Sequence, residues 1–156
     1  MLTPDSTETK ARELFNSGYF CAESVLMAIA EQTGMDSSLI PRIATGFCGG
    51  MSRTSGMCGA LTGGVMALGL VFGRDFPQES RDTTYKLVQR FQEAFVKEFG
   101  AINCTDLLGC DLSTPQGASQ FAEQGLLKSV CLEITGRAAA IAAELISNQK
   151  AGEKAA

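Results

Sequence analysis

Residues Gly46 to Gly64 read GFCGGMSRTSGMCGALTGG, and the fold turns on how they are understood. Seven glycines surround two cysteines, Cys48 and Cys58, and the run CGALTGGVMALGLVFG that starts at Cys58 carries no charge. Three readings compete: a phosphate cradle, the start of a membrane span, and the surroundings of a reactive sulfur. A phosphate loop needs the order G-x-x-x-x-G-K-[ST] behind a strand, and neither is present. As a span, the uncharged stretch from Thr54 to Gly73 is barely long enough and is diluted by glycine. What remains is a buried helix from about Met57 to Phe72. In it Gly59, Gly63 and Ala67 form a small-residue stripe, four apart, that lets another backbone approach. Cys58 then stands at a helix N-terminus, where unpaired N–H groups and the positive dipole end predict a lowered thiol pKa.

Helix signals continue on both sides. Asp5 to Thr7 offer caps, and Ala11, Leu14 and Phe15 recur at helical spacing until Gly18. FCAESVLMAIAEQTG places Cys21, Val25 and Ile29 on one face and ends at Gly34. Asp36 to Ser38 predict the cap of a third helix, with Pro41 in its first turn, Leu39, Ile40, Ile43 and Ala44 as its buried stripe and a stop at Gly46. Pro77 predicts the opening of a long helix with Tyr85, Val88, Phe91, Phe95 and Phe99 inward, ended by Gly100. A short turn after Asn103, a start at Ser113 to Pro115 and a last helix from about Lys128 follow. That last helix carries Cys131, Ile134, Ala138, Ile141 and Leu145 on one side. No strand alternation and no internal repeat appear. The expectation is all-α: one domain over residues 1–147, about seven helices around a buried glycine-rich central helix, with 148–156 a disordered, fraying tail.

Composition narrows the function. A chain of 156 residues with 45% hydrophobic and 19% charged residues fits a single-core protein. A net charge of −4 leaves no basic field for nucleic acid. The N-terminal MLTPDSTETKAREL has no basic start and no apolar h-region, which predicts the cytoplasm. There is no histidine, so imidazole bases, Cys-His pairs and His metal ligands are excluded for this chain. Six cysteines in a reducing compartment point to metal binding or redox chemistry in preference to structural disulfides.

Four of the six fall at or near predicted helix starts: Cys21, Cys58, Cys104 and Cys131. Any one alone serves equally as a small core residue. If the four ends converge, they suit either four thiolates around a metal or a low-pKa dithiol pair, and without histidine all-sulfur ligation is the simplest metal site. No C-x-x-C pair exists, so a zinc ribbon, a thioredoxin motif and a bacterial ferredoxin run are unsupported. Cys48 and Cys110 are expected to pack, with a spare ligand or half of a disulfide formed on oxidation as the alternatives for either. The carboxylates Glu93, Glu98, Asp106 and Asp111 have ordinary helix or cap explanations.

The blocks NSGYFCAESVL, CGALTGGVMALGL, INCTDLLGCDLSTPQG and the late VC together resemble the redox-active family labelled C_GCAxxG_C_C, from about Phe15 to Leu145. The second block has Cys and Gly in the opposite order to the label. Residue by residue, the resemblance singles out Cys21, Cys58, Cys104 and Cys131, with Gly59 and Gly63 from the same motif. It implies a redox role and, through similar domains such as that of split-Soret cytochrome c, an iron-sulfur cluster. The leading expectation is therefore electron transfer or redox sensing at a four-cysteine 2Fe-2S type site, which purification in air can leave without its cluster. Metal-free thiol–disulfide chemistry with Cys58 as nucleophile is the second, and a structural zinc module the third. A protein redox partner is expected without being identified, and the small-residue stripe leaves a homodimer open.

Overall fold

A computed structural model describes residues 2–35 and 37–155. Eight helical segments appear among them, α1 (Pro4–Asn16), α2 (Cys21–Thr33), α3 (Cys48–Arg53), α4 (Gly59–Phe72), α5 (Asp82–Phe99), α6 (Cys104–Leu108), α7 (Pro115–Glu123) and α8 (Leu132–Ala155). No strand occurs among the described residues, and the sole β feature there is an isolated antiparallel bridge between Met57 and Asn103. The all-α architecture follows the periodicities: α5 keeps Leu87, Phe91 and Phe95 buried while its other faces are solvated, and Gly100 ends it in the left-handed conformation.

α4 is the centre. It is apolar all round, as a helix surrounded by others should be. Ala60, Leu61, Ala67 and Leu68 are fully buried, α2 crosses one face, α5 another, and α8 packs on α4, α2 and α1. The α2–α4 crossing is close because Gly63 has no side chain: a Cβ there would stand 2.7 Å from the Ala22 carbonyl oxygen and 2.9 Å from Ala22 Cα. On the outside, Glu8 of α1 accepts from Arg12 at 2.8 Å and from Arg137 of α8 at 3.0 Å, and Arg137 reaches Glu98 of α5 at 2.7 Å. This network ties three helices together at the surface. No helix among the described residues is long and apolar enough to cross a membrane.

Several boundaries differ from expectation. The third helix does not form: Asp36 lies outside the described residues, and the segment turns irregularly until a 3-10 helix at Arg42–Phe47. Pro41 restricts the residue before it, and Leu39 and Ile43 are exposed where a buried stripe was expected. The long helix begins at Asp82, five residues after Pro77, because the Glu79 carboxylate caps the N–H groups of Asp75 and Phe76 in a separate loop. Before α8, Leu127–Cys131 form a π-helical turn. α8 itself continues as helix through most of 148–156, helped by a 2.9 Å Gln149–Glu153 hydrogen bond one turn apart.

Candidate functional site

The residues GFCGGMSRTSG form a turn of the wrong hand. Within α3, Gly49, Gly50, Met51 and Ser52 have φ of 69°, 68°, 57° and 58°, and Arg53 and Ser55 follow at 63° and 60°. L-residues avoid this region at roughly 1–2 kcal/mol apiece, so the glycines here serve conformation and the four non-glycine residues store strain. The turn is held by Ser52 Oγ donating to the Gly46 carbonyl at 2.8 Å and by Ser55 Oγ donating to Asp111. Gly50 also has to be small, since a Cβ would stand 2.5 Å from Cys104 Cβ and 2.9 Å from the Gly56 carbonyl oxygen.

The chain then leads directly into two helix starts held side by side. Cys58 N–H donates to the Ile102 carbonyl at 2.7 Å and Cys104 N–H to the Gly56 carbonyl at 3.0 Å, the two bonds of the Met57–Asn103 bridge. Cys58 caps α4 and Cys104 opens α6. Cys21 opens α2, whose first turn is fixed by Glu23: its carboxylate accepts from Phe20 N–H at 2.9 Å and from Thr45 Oγ1 at 2.7 Å. A Cβ on Gly59 would collide with Cys21 Sγ, so this motif glycine makes room for the sulfur. Cys131 ends the π turn, a local widening common where helices carry function.

These ends face one cavity of about 330 Å³, lined by Cys21, Cys48, Cys58, Cys104 and Cys131 with Phe20 and other apolar residues. Among the described residues Arg53 is its one charged lining residue, and no carboxylate lines it. All four sequence-selected cysteines are thus brought to the same cavity, with Gly59 in its wall and Gly63 one turn further along α4. Cys48, expected to pack, lines the cavity too and lies beside Cys21 across Gly59. Cys110, buried as expected, packs in a small cluster with Cys104, Leu108 and Leu112, against which Cys131 also packs. Among the described residues no three Cys, Asp or Glu side chains close on a point where a single metal ion would sit. The sulfurs surround a volume instead.

The electrostatics reverse one expectation. Burial pushes the Cys58 thiol up to about 11, outweighing the Ala60 and Leu61 N–H groups that favour its thiolate. Burial, and then the neighbouring Cys58, Cys104 and Cys110, push Cys131 up to about 12. Cys104 is raised by burial and by Cys110, and Cys48 is raised by its hydrogen bond to Cys21 and by burial. The helix start does help Cys58, but desolvation wins: without a cation in the cavity these thiols are protonated at neutral pH.

A family model described as "Putative redox-active protein (C_GCAxxG_C_C)" matches residues 19–145, which include every cysteine in the chain. The chain belongs to this family. An Archaeoglobus fulgidus protein bearing the name "Uncharacterized protein" is similar to this member of the C_GCAxxG_C_C family, with 28% identity over 155 residues, 94% of this chain and 97% of its own. No solved structure matches. Membership in the C_GCAxxG_C_C family gives a redox-active character, and in this member Cys21, Cys58, Cys104 and Cys131 line one cavity together with Cys48.

Sequence reasoning missed Cys48 and Glu23 as parts of one neighbourhood. GFCGG, a cysteine before two glycines, is what a chain needs in order to enter a left-handed turn, but it does not say which residue that turn brings to Cys48.

Proposed function

We propose that this protein is an electron-transfer or redox-sensing protein whose cavity takes an iron-sulfur cluster of the 2Fe-2S type, with Cys21, Cys58, Cys104 and Cys131 as its ligands. The observation that carries the reading is the cavity: four cysteines from four different helix ends line a space larger than one ion, with no carboxylate lining it among the described residues. Soft thiolates select iron-sulfur centres, and the wall chemistry fits such a group. When bound, the cluster supplies reversible one-electron chemistry. The protein's own part is to give up thiol protons on loading, to direct the Ala60 and Leu61 N–H groups at the Cys58 sulfur, and to exclude water with Phe20 and its apolar neighbours. Arg53 adds positive charge at the cavity wall, which offsets part of the charge of four thiolates. A cytoplasmic setting and a protein electron partner belong to the same proposal.

The test is anaerobic reconstitution with iron and sulfide, followed by visible absorption and analysis of iron and acid-labile sulfide. Stoichiometric iron and sulfide that are lost together in Cys58→Ser support the reading. Zinc bound in place of iron, or full cluster occupancy in Cys58→Ser, overturns it.

A further inference from the structure

We infer that Cys21 and Cys48 form a reversible disulfide, a two-electron site that shares Cys21 with the four-cysteine set and adds Cys48. The inference goes beyond the cluster reading and does not depend on it. Three observations meet at this pair. Cys21 opens α2, Cys48 opens α3, and both line one cavity wall. Both are partly exposed there, whereas Cys58, Cys104 and Cys110 are buried. Gly59 brings the two residues together: its missing Cβ marks a point in collision range of Cys21 Sγ and 3.2 Å from Cys48 Cα. Cys48 is fixed from both sides: its Sγ lies 3.8 Å from the Ala44 carbonyl, and the left-handed turn begins at the next residue.

The co-reactant is a low-molecular-weight disulfide. One cysteine sulfur attacks it, forming a mixed disulfide and releasing one thiol. The second cysteine sulfur attacks the mixed disulfide, forming the Cys21–Cys48 bond and releasing the other thiol. Overall two cysteine thiols lose two electrons and two protons, and one small disulfide becomes two small thiols. Because Cys21 also belongs to the proposed ligand set, the disulfide and a fully ligated cluster exclude each other.

The sequence makes the test direct. Cleavage after Lys and Arg puts Cys21 in the peptide 13–42 and Cys48 in 43–53, while Cys58 falls in 54–74 and Cys131 in 129–137. Reduced, metal-free full-length protein is treated with oxidised glutathione, alkylated under denaturing conditions, digested and analysed by mass spectrometry. The expected result is a 13–42 to 43–53 crosslink that dithiothreitol removes, with free thiols falling from six to four. Cys48→Ser loses the crosslink and leaves glutathione trapped on Cys21, and Cys110→Ser retains it. Two unlinked peptides after oxidation, or a dominant crosslink between other cysteines, overturns the inference. Since no iron is present in this experiment, neither outcome bears on the cluster.

Discussion

A single methyl group on Gly63 tests both the fold and its coupling to the site. In Gly63→Ala the new Cβ stands 2.7 Å from the Ala22 carbonyl oxygen and 2.9 Å from its Cα. Ordinary contact begins near 3.4 Å, so one of the two helices has to move by several tenths of an ångström. Both atoms are backbone, so no rotamer change relieves the clash. Overpacking of this kind costs about 1–3 kcal/mol, and the rigid obstacle places it toward the upper end. Alanine returns about 0.5–1 kcal/mol through helix propensity, leaving a net loss of about 2 kcal/mol. In a chain of this length that lowers the thermal midpoint by about 4–8 °C. Gly69 supplies the control on the same helix: nothing lies within 4 Å of its virtual Cβ, so Gly69→Ala should gain about 0.5–1 kcal/mol. Urea unfolding followed by circular dichroism measures both. Because Ala22 adjoins Cys21, Gly63→Ala should also slow iron uptake, whereas Gly69→Ala should not. A Gly63→Ala protein as stable as the parent would refute the close crossing and the placement of Cys21 that depends on it.

Further outcomes follow from charge and protonation. The raised pKa of Cys58 means its contribution to the stability of the metal-free chain is complete below the unfolded value of 9.0 and lost as pH rises through about 11. At about 1.4 kcal/mol per unit this is about 3 kcal/mol, and denaturant titrations on either side of pH 9 should show a shallower loss in Cys58→Ser. Glu8 runs the other way: burial opposes its charge, but Arg12 and Arg137 hold it below the usual 4.5, so its contribution is present above that value and disappears as pH falls through the lowered one. Glu8→Gln should cost about 1 kcal/mol at neutral pH and flatten the acid limb of the stability profile. Asp111→Asn weakens the hold on Ser55 and Ser113, so proteolysis after Arg53, inside the left-handed loop, should accelerate relative to the parent.

What was legible depended on distance along the chain. Helical spacing marked α2, α4, α5 and α8, because a stripe such as Leu87, Phe91 and Phe95 records burial in local sequence. Helix-start chemistry likewise marked Cys21, Cys58 and Cys104. The sequence was silent where two effects of different range compete. The N-terminus of α4 is a local property and lowers the Cys58 pKa, but the depth of burial is set by α2, α6 and the π turn before α8, and it prevails. Cys48 was unreadable for the same reason: its neighbour Cys21 is brought to it by a turn whose hand no apolar period encodes. The expected third helix failed because hydrophobic spacing from Leu39 to Ala44 mimicked a stripe, whereas Leu39 and Ile43 have nothing to pack against.

The Met57–Asn103 bridge has a consequence for the order of assembly. Cys58 and Cys104 come from segments far apart in the chain and become neighbours only when those two hydrogen bonds close. Such non-local contacts form late, after α4 and α5 have folded locally and docked. The thiol cavity is therefore among the last parts of the molecule to exist, and a partly folded chain does not hold its sulfurs together. On the proposed cluster reading, loading is reserved for chains that have already folded.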